Sequence, residues 1–280
     1  MTMQAPIRTR SWLFTPATRQ DRFANASRAG ADVAILDLED AVAPGDKTRA
    51  RTTALNYLAE NHPDRGLHAL RINGLDTRPG ISDLEALLAS DAVPDFLVLP
   101  KTETIGHLQI LDRLLTSAGK GTRLIGLIES TRGLAAVEAI ATATPRLHGL
   151  MFGAADMAAD LGAATAWEPL WWARSRLAAA CALGGALAID APFFSLHDEA
   201  GLNHEVAAAV ALGFGAKAAI HPAQIGVINV ALTPTDGEIE KARSFLAENA
   251  KGVGMIEGQM IDEAIARKAR RILAAAGLDA

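Results

Sequence analysis

The sequence is poor in cysteine and aromatic side chains, and it carries no strong net charge. Its 280 residues include one cysteine, Cys181, and aromatic residues make up 5%. A single thiol excludes an internal disulfide and a multi-thiolate metal site, and it favours a reducing compartment. With 27 Lys plus Arg against 32 Asp plus Glu, the formal charge is −5. This mildly acidic balance disfavours nucleic acid and anionic membranes as partners, because both bind to clustered positive charge.

Long hydrophobic runs are also missing. The longest one, residues 177–189, is shorter than the roughly 20 residues that cross a bilayer. Arg8 and Arg10 near the start are not followed by the apolar segment of a secretory leader. We therefore expect a cytoplasmic protein. Half of its residues are hydrophobic, which is enough for a large folded core.

Short apolar runs separated by segments with helical spacing recur along most of the chain. The runs cover residues 12–15, 33–38, 67–72, 96–99, 124–128, 147–152, 187–189 and 218–220. The segments with helical spacing include residues 21–29, 47–60, 82–88, 105–117, 133–143, 169–183 and 203–212. Runs that are apolar on both faces are typical of parallel strands covered by helices. Eight such units predict an α/β protein with a (β/α)₈ TIM barrel, over residues 1–232. Residues 233–280 are expected to form a C-terminal helical extension that contacts a neighbouring subunit. Within it, Thr235 and Glu238 have the capping-box pattern of a helix that runs to about Asn249, and a glycine-rich loop with Gly252, Gly254 and Gly258 follows.

Polar residues stand at the end of almost every predicted strand. They are Asp37, Glu39, Asp40, Arg71, Asn73, Lys101, Glu129, Asp156, Asp190 and His221. In a barrel these positions meet at the carboxyl mouth, where active sites of this fold lie. Any one of them is also typical of a helix cap or a buried salt bridge. Together, so many charges around one cleft are costly to desolvate unless they hold a cation, a substrate or each other.

Glu129 and Asp156 follow consecutive strands, so their carboxylates are expected to be neighbours. Oxygen ligands without His or Cys favour a hard ion, and Mg²⁺ is bound in proteins by one or two carboxylates, substrate oxygens and water. The small residues Gly153, Ala154 and Ala155 allow a substrate to approach backbone amides. Tight packing at a turn explains the same three residues equally well.

Arg71 is the candidate clamp for a substrate carboxylate, because its planar guanidinium binds carboxylates with two hydrogen bonds. The acids Asp37, Glu39 and Asp40 would repel one another unless Arg71, a lysine or a metal-bound water neutralises them. His221 is either a general base or a structural hydrogen-bonding residue at a strand end, and the sequence favours the structural role.

These residues lie in motifs that resemble the citrate lyase beta-subunit-like family, which includes malyl-CoA and citramalyl-CoA lyases among the metal-dependent aldolase barrels. The motifs are RSWLFTPATRQDRF from Arg10, AILDLEDAVAPGDKTRAR around Asp37, LRING around Arg71, LPKTET around Lys101, IES at Glu129, FGAADMAADLG around Asp156 and GAKAAIHPAQIGVIN around His221. The resemblance covers almost the whole chain. One departure is Ala154 and Ala155, where many relatives have a second acid.

The resemblance implies roles for particular residues. It implies Mg²⁺ bound by Glu129 and Asp156, a keto acid held by Arg71, and Glu39 and Asp40 as supporting catalytic acids. It also implies that Asp262 reaches a neighbouring subunit's site and moves a proton on the acyl carbon, within a homotrimer or homohexamer. From the sequence alone, Asp262 is equally well explained as a first-turn residue of the last helix.

The expected function is cleavage or formation of a short hydroxyacyl-CoA, such as malyl- or citramalyl-CoA, to an acyl-CoA and a 2-keto acid. Two alternatives use the same scaffold. One is thioester hydrolysis. The other is a citrate lyase beta-type subunit that acts on a citryl thioester carried by an acyl carrier protein.

Overall fold

Eight parallel strands close into a barrel in chain order, which confirms the predicted (β/α)₈ architecture. The computed structural model describes residues 8–60, 66–250, 254–256 and 259–278. The barrel strands are β1 (Ser11–Pro16), β2 (Val33–Asp37), β3 (Leu67–Arg71), β4 (Phe96–Leu99), β5 (Arg123–Ile128), β6 (Leu147–Phe152), β7 (Leu187–Asp190) and β8 (Ala216–Ala219). Each differs from its predicted range by at most two residues at either end.

The barrel strands are buried on both faces, as the apolar runs predict. Every residue of β2 and β4 is buried. One apolar cluster fills the barrel interior and includes Trp12, Ile35, Ala69, Phe96, Leu127, Met151 and Ile189. The intervening residues, such as Leu36 and Leu97, belong to a second cluster that packs against the surrounding helices. This alternation decides which strand-end side chains face the mouth of the barrel.

Helices surround the barrel, and most of them fall where the sequence predicts. They are α1 (Phe23–Arg28), α2 (Lys47–Ala59), α3 (Arg78–Ala89), α4 (Ile105–Ser117), α5 (Thr131–Ala135), α6 (Val137–Ala141), α7 (Ala154–Leu161), α8 (Trp167–Gly184), α9 (Glu199–Leu212), α10 (Ile225–Ala231), α11 (Asp236–Asn249) and α12 (Glu263–Ala276). Every helix in the described ranges is too short or too polar to span a bilayer.

The helix predicted over residues 133–143 is instead two short helices, α5 and α6. Ala136 lies between them with φ −104° and ψ 6°, and its N–H is shared by the carbonyl oxygens of Arg132 and Gly133. The shared bond interrupts the regular helical pattern at that residue. The short helices α7 and α10 are additional to those predicted.

Beyond the barrel, α11 and α12 pack against each other through Ala242, Ala269 and Leu273. The predicted capping box at the start of α11 is confirmed, because Thr235 and Glu238 exchange hydrogen bonds. Between these helices, β9 (Gly254–Ile256) and β10 (Gln259–Ile261) pair as antiparallel strands. Gly252 and Gly258 lie outside the described residues. The domain boundary at residue 232 and the contact with a neighbouring subunit remain predictions.

Candidate active site

A cavity of about 350 Å³ opens at the carboxyl ends of the barrel strands. Its polar wall is formed by Asp37, Asp40, Arg71, Glu129 and Asp156. The alternation of strand side chains explains why several of these residues point there. Ile35, Ala69 and Leu127 face the barrel interior, and the residue two positions further on faces the same way. The cavity therefore collects residues that the sequence analysis had selected.

Arg71 is anchored by Asp37, its partner across the neighbouring strands β3 and β2. Its Nε donates to Oδ1 at 2.7 Å and its Nη2 donates to Oδ2 at 2.6 Å. Burial opposes the guanidinium charge, but the hydrogen bonds and charge of Asp37 prevail and raise the pKa of Arg71. The edge of the guanidinium formed by Nε and Nη2 is thus occupied by Asp37. A ligand is left with the second N–H of Nη2 and with Nη1, which it must share with two other acids.

Glu39 and Asp40 contact the other end of the same guanidinium. Arg71 Nη1 lies 2.8 Å from Glu39 Oε2 and 3.5 Å from Asp40 Oδ2. Burial raises the pKa of Glu39 to about 8, even though the charge of Arg71 opposes the shift. Lys47 does not pair with these carboxylates, since its ammonium donates to the carbonyl oxygens of Leu38 and Glu39. Arg71 is therefore the cation in direct contact with all three acids of this cluster.

Glu129 directly follows β5 and is 4% exposed. Its Oε1 accepts a hydrogen bond from the backbone N–H of Lys101 at 2.8 Å. Gly153 lies against the same side chain, and a Cβ there would stand 2.5 Å from Glu129 Cβ and 2.7 Å from Oε2. Burial raises the pKa of Glu129 to about 7, although the Lys101 N–H and ammonium favour the charged form. A buried carboxylate of this kind is stabilised by a nearby cation.

Asp156 lies in the first turn of α7 rather than at the strand end, yet it converges with Glu129. Lys101 Nζ donates to Asp156 Oδ1 at 3.1 Å, and the same Nζ lies 3.9 Å from Glu129 Oε1. One cationic atom therefore lies close to both carboxylates. The structure brings together the pair that the sequence analysis selected as metal ligands.

The donor set at this point fits Mg²⁺ better than a transition metal. Among the described residues, no three His, Cys, Asp or Glu side chains cluster as a ready-made metal cage. Two carboxylates with room for other oxygens match Mg²⁺, which keeps several waters and binds substrate oxygens. Glu129 and Asp156 would hold the ion, and their assignment as ligands remains a prediction.

The small residues Gly153, Ala154 and Ala155 line the cavity. Gly153 caps α7, and the helix begins at Ala154, so backbone N–H groups at this helix start are available to an anion. The close approach of Gly153 to Glu129 also supports the packing explanation. Both interpretations of this segment therefore have a structural basis, and substrate contact remains a prediction.

Asp262 does not line the cavity described in its own chain. It is exposed and caps α12, where its Oδ1 accepts a hydrogen bond from the backbone N–H of Ile265 at 3.0 Å. The capping role that the sequence suggested is therefore present. Its reach into a neighbouring subunit remains a prediction.

Three other strand-end residues have structural contacts. Asp190 is fully buried and binds Arg174 and Lys217, because Ile189 takes the inward position on β7. Asn73 binds Asp83 and the Leu38 carbonyl. His221 accepts a hydrogen bond from the Ala223 N–H, in keeping with the structural role that the sequence favoured.

Part of the cavity wall was not selected from the sequence. It is apolar and includes Phe14, Met151, Pro192, Phe194 and Ile220. Phe14 stands two residues after the inward-facing Trp12, so strand alternation was a usable signal for it. The loop residues Pro192 and Phe194 carried no comparable signal. Lys101 was noted at a strand end but was not selected as a site residue.

The acidic cavity at the carboxyl mouth defines the protein as a (β/α)₈-barrel enzyme. Residues 10–222 match the HpcH/HpaI aldolase/citrate lyase family, and residues 171–278 match a family described as a C–C bond lyase of the TIM-barrel fold. The chain belongs to the HpcH/HpaI aldolase/citrate lyase family and is a carbon–carbon lyase.

Individual relatives agree with this assignment. The chain is 36% identical to the L-malyl-CoA/beta-methylmalyl-CoA lyase of Rhodobacter capsulatus, over 96% of this chain and 95% of the relative. It is 60% identical to RipC from Yersinia pestis, whose crystal structure matches with a TM-score of 0.74 over 83% of this chain and 99% of RipC. CitE from Mycobacterium tuberculosis in complex with magnesium, acetoacetate and coenzyme A is 35% identical, with a TM-score of 0.80 over 96% of this chain and 98% of CitE.

Proposed function

We propose that the protein is a Mg²⁺-dependent lyase that cleaves or forms a short hydroxyacyl-CoA, with an acyl-CoA and a 2-keto acid as the other side of the reaction. Malyl-CoA, citramalyl-CoA and beta-methylmalyl-CoA are the first substrates to consider. The observation that carries the proposal is that Glu129 and Asp156, which line the same cavity as Arg71, both lie close to one cationic atom, Lys101 Nζ.

The relatives support the substrate class. One is named for lyase activity on malyl-CoA and beta-methylmalyl-CoA, and another binds magnesium, acetoacetate and coenzyme A in one crystal. Both align with nearly the whole of this chain. Cleavage of a hydroxyacyl-CoA gives a keto acid and a CoA thioester, and acetoacetate and coenzyme A are chemically related to these two products.

The main polar and apolar groups of the cavity have distinct roles in this reaction. Glu129 and Asp156 hold Mg²⁺, which when bound polarises a carbonyl oxygen as a Lewis acid. Arg71, fixed in place by Asp37, offers its remaining N–H groups to the keto acid carboxylate. The apolar wall around Phe14 and Phe194 excludes water from the reacting carbons.

Orientation of the keto acid is the main contribution of Arg71. Since two of its N–H groups already bind Asp37, the guanidinium cannot turn with the ligand. A fixed cation positions the keto carbon for attack from one side and lowers the entropic cost of reaction. Glu39 and Asp40 support this cation by contacting Nη1.

The assay is a panel of malyl-, citramalyl- and beta-methylmalyl-CoA, with keto acid and free CoA thiol measured separately in the presence of Mg²⁺. Equal amounts of keto acid and acyl-CoA, lost on chelation and restored by Mg²⁺, support the proposal. No turnover with any thioester contradicts it. Free CoA without keto acid indicates a hydrolase, and activity only on a carrier-bound thioester indicates a citrate lyase beta-type subunit.

We also propose that the enzyme is a homotrimer or homohexamer in which Asp262 serves a neighbouring subunit's cavity. Asp262 is exposed at the start of α12 and does not line the cavity of its own chain.

We also propose a cytoplasmic location. The free thiol of Cys181 is buried, and burial raises its pKa to about 12. Free thiols of this kind stay reduced in the cytoplasm.

Mixing two inactive variants tests the shared site. Asp262→Asn should lower turnover about 100-fold, as expected for loss of a general acid or base, while Mg²⁺ affinity stays unchanged. Glu129→Gln should be inactive for lack of metal. If Asp262 acts across subunits, a co-refolded mixture of the two variants regains activity, because some cavities then combine an intact metal site with an intact Asp262. A mixture as inactive as its components contradicts the shared site.

A further inference from the structure

Lys101 has an unusual backbone conformation next to the proposed metal ligands. Among the described non-glycine residues, it alone has a positive φ, of 47°. This left-handed conformation is unfavourable for a side chain and persists only where the surroundings impose it. Here Thr102 imposes it, since its N–H donates to the Leu127 carbonyl and its hydroxyl donates to the Leu99 carbonyl.

The imposed conformation aims the Lys101 backbone at Glu129. The Lys101 N–H donates to Glu129 Oε1, while Gly153 closes off the side chain at Oε2. The position of the buried carboxylate is therefore set from two sides by backbone. A ligand fixed in this way needs little rearrangement to bind an ion.

The Lys101 side chain faces the same two acids. Its Nζ lies 3.1 Å from Asp156 Oδ1 and 3.9 Å from Glu129 Oε1. The side chain is about half exposed, at 47%, and Asp156 is similarly exposed, at 45%. Because the side chain is exposed and its four-carbon chain is flexible, the ammonium can move away from the two acids without disturbing the packed core.

We propose that Lys101 is a positioning residue of the metal site, whose ammonium and Mg²⁺ exclude each other at the carboxylates of Glu129 and Asp156. The inference rests on the proposed function, because it takes these two acids as the Mg²⁺ ligands. A divalent ion and an ammonium within a few ångströms repel strongly. An ion bound between the two acids therefore displaces Nζ from its contact with Asp156.

Competition of this kind has a measurable consequence for affinity. In the wild-type chain, Mg²⁺ binding must break the Lys101–Asp156 ion pair, whereas a chain without the ammonium has no pair to break. Removing the ammonium should therefore tighten Mg²⁺ binding. If Lys101 only helped to pack the turn, its replacement by a smaller residue would leave the affinity for Mg²⁺ unchanged.

The experiment is calorimetric titration of Mg²⁺ into chelator-stripped, full-length protein. Lys101→Ala should bind Mg²⁺ about tenfold more tightly than wild type, and Lys101→Arg, which keeps the positive charge, should bind within about threefold of wild type. Lys101→Gly fits the left-handed backbone without strain and replaces the alanine variant if that one fails to fold. Lys241→Ala, at an exposed lysine of α11, is the control for loss of one positive charge.

Two results would overturn the inference, and they differ in what else they affect. Wild-type protein that binds Mg²⁺, with Lys101→Ala and Lys101→Gly unchanged or weaker, overturns the competition and leaves the proposed function intact. Absence of Mg²⁺ binding in wild type, Lys101→Ala and Lys101→Gly alike overturns both. The inference is supported if Lys101→Ala binds Mg²⁺ more tightly than wild type, while Lys241→Ala and Lys101→Arg bind it about as tightly as wild type.

Discussion

Two charged networks at the barrel illustrate how differently buried ionisable groups are used. The mouth network contains five acids and two bases, namely Asp37, Glu39, Asp40, Glu129, Asp156, Arg71 and Lys101. The buried network contains two acids and two bases, namely Asp190, Glu205, Arg174 and Lys217. The first opens into a cavity, and the second lies between the barrel and helices α8 and α9.

The buried network is balanced. Asp190 is fully buried and accepts hydrogen bonds from Arg174 at 2.7 Å and Lys217 at 2.6 Å. Burial alone would raise the pKa of Asp190, but these two cations outweigh it and lower the pKa. Arg174 is further packed between the rings of Phe152 and Trp167. With two acids and two bases in contact, this network has no surplus of negative charge for an added cation to balance.

The mouth network, by contrast, has more acid than base. Burial raises the pKa of Glu39 to about 8 and that of Glu129 to about 7, because the available cations do not offset it. A surplus of buried carboxylates costs free energy unless a cation or a proton joins them. The comparison teaches that charge balance, rather than burial alone, separates a binding site from a structural ion pair.

The sharpest test of this difference is to neutralise one acid of the mouth network. Glu129→Gln and Asp156→Asn should each lower Mg²⁺-dependent turnover about 1,000-fold, since each removes a proposed metal ligand. The midpoint of thermal unfolding in chelator should not fall, because each substitution reduces the surplus of negative charge. Steady-state kinetics and thermal unfolding measure the two effects, and full activity in either variant would show that the ligands are wrongly assigned.

The opposite behaviour is expected in the buried network. Asp190→Ala leaves Arg174 and Lys217 buried without their shared partner, so the free energy of unfolding should fall by about 3–5 kcal/mol. Urea denaturation measures the loss. Asp21→Ala removes an exposed ion pair with Arg19 and is the control, with nearly unchanged stability. An Asp190→Ala protein as stable as wild type would mean that the two networks do not differ in this respect.

The smallest expected effect is a dependence of stability on pH that originates at Glu39. Its folded-state pKa, about 8, is above the value of about 4.3 for an unfolded chain. The folded protein therefore holds a proton that the unfolded protein releases between these two values, and stability falls as the pH rises through that window.

Glu39→Gln removes this titration while keeping the shape of the side chain. Relative to wild type, the variant should gain about 3 kcal/mol of unfolding free energy between pH 5 and pH 8, measured by urea denaturation with chelator present. Asp40→Asn, at a carboxylate that is 71% exposed, is the matched control and should change far less. A constant difference between Glu39→Gln and wild type across this range would contradict the shift.

The sequence predicted the barrel well because its strands are apolar on both faces. Runs such as 33–38 and 96–99 are recognisable without knowledge of their neighbours, and both became strands. The helix break at Ala136 was not predictable, because it depends on where one N–H is shared. The short helix α7 was missed as well, since it follows a tight turn and spans only Ala154–Leu161.

The structure places Glu129 and Asp156 close together, as expected from their positions after consecutive strands. The direction in which strand-end side chains point was predicted less completely. Asp190 was placed at the mouth with the other strand-end residues, but Ile189 takes the inward position and turns Asp190 outward. The occupation of one Arg71 edge by Asp37 depends on the register between β2 and β3. Neither registers nor inward positions are visible in one sequence, because a shift of one residue exchanges the two faces of a strand.

The contact between Gly153 and Glu129 ties two positions that are 24 residues apart in the chain. Any larger residue at position 153 would collide with the Glu129 side chain. A redesign of the turn at Gly153 must therefore also shorten or move that side chain. Libraries that vary either position alone should therefore be dominated by inactive clones, and paired randomisation is the practical route to altered substrate preference.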